Sequence, residues 1–272
     1  MLLIVKGFRM FKLRRLLALS VAAQGKLALA AGGGAAEIIN YYSMLLTSMG
    51  LSEHAIMEWA PVCGALIGLS LLMLAGKSFQ GHVSRSLVDG VPDGRVSLGG
   101  MIEAVCEFVY NFSKDVIGEK QFKPFLPLLF ALFFFILFNN LTGLVPGFPP
   151  ATESLNTNLA MGIVVFFVYN AAGVKEHGLP YFKHFLGPIW WLAWLLLPIE
   201  LVAHFARPVS LSLRLYGNLF GDHLVLSVFT GLTKLVIPSI FLFLGLLVAC
   251  LQSFVFTLLS SIYISLSVSH DH

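Results

Sequence analysis

From Trp59 onward the chain alternates long apolar runs with short polar ones, and the runs set the architecture. Trp59–Gly76, Phe125–Phe138 and Leu159–Val174 approach the length that crosses the ~30 Å hydrocarbon layer of a bilayer. A segment at that depth has no water to satisfy its backbone, so it must be helical. Gly187 to about Leu232 is roughly twice the ~20 residues of an upright span, and Val236–Val268 is also over-long. Each of these two must tilt steeply, break, or do both, and Pro188, Pro198 and Pro208 mark where the first can bend. The pattern predicts an all-α membrane protein of about five membrane-embedded helices, the last two long and strongly tilted.

Between the first two spans, Ile102, Val105, Cys106, Val109 and Phe112 or Ser113 recur at helical spacing, while Glu103, Glu107 and Lys114 point elsewhere. That stripe predicts an amphipathic helix lying on the membrane surface. Lys77, Arg85, Arg95, Lys114, Lys120 and Lys123 crowd the same segment and place it in the cytoplasm. The loop Asn139–Asn158 has no Lys or Arg and falls outside; Gly143, Pro146, Gly147, Pro149 and Pro150 read as breakers, and Glu153 as a solvated loop charge. Lys175, His177, Lys183 and His184 return the chain to the cytoplasm, where His270-Asp271-His272 also falls. Residues 1–31 join a basic start, the short apolar stretch Leu16–Ala23 and Ala28-Leu29-Ala30, a signal-like pattern that is either cleaved or kept as an anchor. Residues 32–58 then form an external segment ahead of a membrane domain over 59–272.

Composition agrees with lipid as the solvent: 57% of residues are hydrophobic and 11% charged, with a mean hydropathy of +0.86. A net charge of +3, without a long basic run beyond the N-terminus, excludes nucleic acid as a partner. Cys63, Cys106 and Cys250 are isolated, so neither a disulfide framework nor a metal-ligand spacing is present. His54, His82, His177, His184 and His204 are scattered and read as interfacial or solvated rather than as ligands.

Against this background Leu201–Ser227 stands apart, because an apolar run there carries Arg207, Arg214, Asn218, Asp222 and His223. An Arg at the centre of a spanning helix costs roughly 2.5–3.5 kcal/mol on insertion. At about 100° per residue Arg214 shares a face with Ser210, Gly217, Asn218 and Gly221, while His223 points about 180° away. That face is both polar and small, and Gly217 and Gly221 have the GxxxG spacing that lets another helix approach closely. The alternative is that Arg214 snorkels to a headgroup.

The run Pro208-Val-Ser-Leu-Ser-Leu-Arg214-Leu-Tyr-Gly-Asn218 resembles the signature of subunit a of the F-type ATP synthase, and Leu251-Gln252-Ser-Phe-Val-Phe256 with Tyr263 is similar to that family's last helix. The resemblance covers most of the chain from about Trp59. It implies a proton-translocating stator subunit in the membrane sector of a rotary motor. The implied partners are a ring of c subunits, each carrying a carboxylate, the peripheral-stalk b subunits, the remaining synthase subunits and membrane lipid. Arg214 would be the family's essential arginine, Asn218 and Gln252 its polar companions, and Glu200 an acid on nearly the same face about four turns earlier. Asp222, His223 and Tyr263 complete the expected proton path, and Ser210, Gly217, Gly221 and Gly245 would pack helices or face the rotor. The resemblance implies no catalytic site, cofactor or metal in this chain. A bacterial inner membrane is its expected location, with a plastid thylakoid membrane as the alternative.

One position departs from the family. Seven residues before Gln252, where many relatives carry a His or an acid, stands Gly245. The titratable group on the inlet side is then expected from Asp222 beside His223, with the space at Gly245 admitting water or the His223 ring. Alternatively Asp222 pairs with His223 or with a headgroup. A self-contained proton-coupled secondary transporter is the other functional class, and it would show repeat symmetry and paired broken helices. No repeat is visible in the sequence.

Overall fold

The computed structural model describes residues 41–48, 50, 53–89, 98–145, 147–178, 193–232 and 236–268. The signal-like segment 1–31 lies outside them, as do Pro146, Lys183, His184, Pro188 and the last four residues. Among the described residues seven α-helices follow one another: α1 (Tyr41–Ser48), α2 (Glu53–Asp89), α3 (Leu98–Ile117), α4 (Leu126–Gly143), α5 (Leu155–His177), α6 (Ala193–Leu232) and α7 (Val236–Val268). A single 3-10 turn, Ala151–Glu153, sits between α4 and α5. The protein is an all-α membrane protein. Among the described residues four stretches are long and apolar enough to cross a bilayer: Trp59–Gly81, Leu126–Gly143, Leu155–His177 and Ile237–Val268. The polar residues of α6 keep it out of that set, yet it packs along both α5 and α7 as a fifth member of the bundle.

The helices run further than the apolar runs that announce them. Helix α2 continues past Gly76 to Asp89, because leaving lipid does not end a helix and no Gly-Pro signal comes before Gly90-Val-Pro92. Helices α4 and α5 likewise take residues from both ends of the expected loop, leaving only Leu144–Ser154 between them. The 40-residue α6 passes through Pro198 and Pro208 unbroken, so at 1.5 Å per residue it is about 60 Å long, twice the hydrocarbon thickness.

Helix α7 touches α3, α4, α5 and α6 and is the axis of the bundle. The core lies between α4, α5, α6 and α7, with Leu129, Ile136, Val165, Tyr169, Leu215, Phe256 and Ile264 almost wholly enclosed. Small side chains let α7 do this. Ser253, Thr257, Ser260 and Ser261 are buried and each donates its hydroxyl to a carbonyl of the preceding turn. The amphipathic α3 presents the expected face inward, burying Val109 and Ser113. Phe108 and Phe112 of α3 also meet Phe254 of α7, the first tilted and the second edge-on.

Helices α5 and α6 approach most closely at Gly162. A Cβ there would lie 2.7 Å from the Pro208 carbonyl oxygen and 2.6 Å from the Ser212 hydroxyl, and a backbone atom cannot yield as a side chain can. Gly162→Val is therefore expected to destabilise the solubilised chain by about 1–3 kcal/mol. An unchanged thermal midpoint in detergent would show that the two helices do not meet there.

At one end of the bundle, the α4–α5 loop is pinned. Thr152 donates its hydroxyl to Asn140 Oδ1 at 2.7 Å and accepts at its carbonyl from Asn158 Nδ2 at 2.7 Å. The Tyr41 N–H of α1 donates to the Gly147 carbonyl, and Tyr41 and Tyr42 pack on Phe148. The α3–α4 connection and the end of α5 meet at the opposite end, where Gln121 Nε2 donates to Glu176 Oε1 at 3.1 Å.

Candidate functional site

Helix α6 has two faces of different character. His204, Pro208, Leu211, Ser212, Leu215 and Leu219 are buried against α5 and α7, with the Ser212 hydroxyl donating to the Asn158 carbonyl at 2.9 Å. Ser210, Arg214, Gly217 and Asn218 are exposed on the other side. A Cβ added at Gly217 or Gly221 would meet nothing within 4 Å. No hydrogen bond or ion pair among the described residues engages Arg214. The chain thus leaves a guanidinium on an open, narrow strip, with more than a turn of apolar sequence on either side.

Inward from that strip, Asn218 Nδ2 donates to Gln252 Oε1 at 2.7 Å and ties α6 to α7. Gln252 is buried, and its Nε2 has no partner among the described residues. Two polar groups flank this middle. Toward the start of α6, the partly buried Glu200 precedes His204, which is buried with Nε2 at 2.9 Å from Asn170 Oδ1 and 3.5 Å from the Tyr169 hydroxyl. The Arg207 guanidinium lies 5.6 Å from the centre of the Tyr263 ring, within cation–π range. His204 is therefore not the interfacial or solvated residue expected from sequence: its ring is buried and bonds the part-buried Asn170 amide, because α5 brings Asn170 and Tyr169 against that turn.

Toward the other end, Asp222 and His223 line a small cleft of about 30 Å³, bounded also by Asn140, Asn218, Gly245 and Gln252. That is room for about two waters, each needing about 10–15 Å³ on this measure. His223 Nδ1 is 3.1 Å from Glu153 Oε1, and His223 Nε2 is 3.2 Å from the Gly143 carbonyl oxygen. Two expectations need correction here. Glu153 is not a solvated loop charge, because the 3-10 turn carries its carboxylate back over α6. The His223 ring does not occupy the space at Gly245, since a Cβ there would meet Leu144 Cδ2 at 3.0 Å. Gly245 is buried and packs α7 on α4, away from the open face of Arg214. The signal for Glu153 was present but weak: it is the only charged residue between Asn139 and Asn158.

A family model described as "ATP synthase A chain" matches residues 59–265. The chain belongs to the ATP synthase subunit a family. It is 42% identical to ATP synthase subunit a 2 of Syntrophotalea carbinolica over 84% of this chain and 91% of that protein. It is 46% identical to ATP synthase subunit a of Bdellovibrio bacteriovorus over 79% and 94%, and 40% identical to that of Citrifermentans bemidjiense over 86% and 97%. The matched residues contain α4–α6 whole and nearly all of α7, so they include every group of the cleft and of the open strip. Membership of the subunit a family makes the chain a membrane subunit of a multi-subunit ATP synthase.

Proposed function

We propose that the chain is the stator part of the proton path in a rotary F-type ATP synthase, supplying two offset half-channels and a fixed positive charge between them. The observation that carries this reading is Arg214, exposed beside two open glycines and without an anion among the described residues. A charge left in that state in lipid is costly, and a carboxylate on an adjoining ring subunit offsets the cost. A guanidinium does not give up its proton, so no proton passes through it. At about 4 Å and an effective dielectric near 20, it stabilises a facing carboxylate by about 4 kcal/mol, roughly three pKa units. A ring carboxylate reaching Arg214 therefore releases its proton to one side and reloads from the other once past. The membrane potential contributes about 2.3 kcal/mol per charge per 100 mV.

The two polar groups of α6 divide the work. Glu200, with Tyr263 and the Arg207 that lies over its ring, serves the cytoplasmic exit. Asp222 and His223 serve the external inlet, Gly245 bounds its cleft, and Asn218 with Gln252 forms the step between inlet and ring. Ser210, Gly217 and Gly221 are the surface on which the ring of c subunits turns. The b subunits of the peripheral stalk hold the chain still in a bacterial inner membrane. It makes and breaks no bond itself; ATP chemistry belongs to other subunits.

Proton flux into liposomes under an imposed potential tests the reading. The chain alone is expected to be silent, and flux is expected to appear when the c ring is added. Flux or substrate uptake by the chain without a ring would overturn the proposal in favour of an autonomous transporter.

A further inference from the structure

The proton path proposed above needs a group that collects protons from water and delivers them to the cleft. The 3-10 turn Ala151–Glu153 is held for such a purpose by more than its own length supplies. The Glu153 N–H donates to the Pro150 carbonyl and the Ser154 N–H to the Ala151 carbonyl, while the Asn140–Thr152 and Thr152–Asn158 bonds fix the turn from α4 and α5. Asn140, Thr152 and Asn158 are all buried, so these bonds are shielded from water. What they position is one carboxylate. Glu153 Oε1 stands 3.1 Å from His223 Nδ1, and its side chain remains 31% exposed, against 21% for His223. The acid therefore touches solvent on one side and the imidazole on the other.

His223 is in turn set for transfer. With Nε2 carrying a proton toward the Gly143 carbonyl at 3.2 Å, the Nδ1 lone pair faces Glu153. Among the described residues, the elements around the ring differ in what they present to it. The 3-10 turn presents Glu153, α6 itself presents Asp222, α4 presents the Gly143 carbonyl, and the cleft wall from α7 offers no titratable side chain, Gly245 standing there. The acid opposite the imidazole comes from the loop.

We infer that Glu153 is the first proton-carrying group of the inlet, taking protons from the aqueous phase and passing them to Nδ1 of His223, which releases them into the cleft beside Asp222, Asn218 and Gln252. A proton from water neutralises the carboxylate and then moves from Oε1 to Nδ1, leaving an imidazolium beside a carboxylate. Loss of the Nδ1 proton from the ring to water in the cleft restores the neutral imidazole with Nε2 still protonated, and the next proton from outside neutralises Glu153 again. One proton enters for each one delivered.

This inference rests on the stator reading, and the test separates the two. The complete complex is reconstituted in proteoliposomes, and ATP synthesis per assembled complex is measured at constant driving force while the inlet-side pH is stepped from about 6 to about 8. Glu153→Gln keeps the shape and a hydrogen bond but cannot carry a proton. A positioned proton carrier contributes ~100-fold or more when alone, and with Asp222 and cleft water as a detour the expected deficit is about tenfold at the alkaline end. It is expected to shrink toward nothing at the acid end, where hydronium loads His223 directly. If the Gln variant assembles too poorly to assay, Glu153→Asp keeps the titrating group but draws it back by one methylene, and its deficit is expected to follow the same pH dependence. No deficit, or one of equal size at every pH, overturns the inference. Arg214→Ala is run alongside: synthesis surviving in that variant would sink the stator reading itself, whatever Glu153 does.

Discussion

Replacing Arg214 with alanine is expected to abolish gradient-driven ATP synthesis while leaving the chain folded and assembled. The side chain is exposed and has no partner among the described residues, so its removal takes nothing from the core of this chain. What disappears is the stabilisation of a passing carboxylate, about 4 kcal/mol at ~4 Å, or about 10³-fold in its proton affinity. Without it the ring carboxylate keeps its proton past the stator, and water from the two half-channels is no longer held apart by a fixed charge. Coupled synthesis in membrane vesicles should fall by at least about 100-fold, with a passive leak in its place. Arg214→Lys is expected to recover little, because an ammonium lacks the planar fork and gives up its proton when desolvated. Normal synthesis by the alanine variant would show that the charge is not the barrier.

The second large effect is expected from a change that costs this chain nothing by itself. A Cβ at Gly217 or Gly221 meets no atom within 4 Å, so Gly217→Leu or Gly221→Leu should leave insertion and thermal stability of the isolated subunit unchanged. In the complex the same side chain stands where a ring helix must pass. Overpacking a close contact costs about 1–3 kcal/mol, and here it recurs at every step of rotation. Ring-dependent proton flux is expected to fall about tenfold or more with normal amounts of the subunit present. Gly162→Val supplies the contrast, since its damage appears already in the isolated chain. If both Gly217 and Gly221 variants conduct normally with the ring, the open strip is not the rotor surface.

These two predictions draw on features that differ in how much of them the amino-acid order reveals. The limits of α7, the small polar strip of α6 and the inward stripe of α3 could all be read from the sequence. Each follows from a local rule: lipid compels backbone hydrogen bonds to close within a segment, and 3.6 residues per turn then assign every side chain to a face. The position of Arg214 on an open face is legible in the same way, because its neighbours at three, four and seven residues are small or polar.

The polar partners were not legible by such rules. Asn218 meets Gln252 across 34 residues of chain, His204 meets Asn170 across 34, and His223 meets the Gly143 carbonyl across 80. Periodicity states which way a side chain points along its own helix, but not which helix stands opposite or at what height. That is decided by how α4, α5 and α7 pack around α6, which depends on the summed fit of their apolar surfaces. Glu153 is the sharpest instance. Alone in a Pro-rich loop it has the signature of a solvated charge, and only the pinning of that loop by Asn140 and Asn158 carries its carboxylate onto His223. Local rules thus account for the spanning helices, their faces and the charge left exposed on α6, whereas which polar groups pair depends on distances between helices that no local rule specifies.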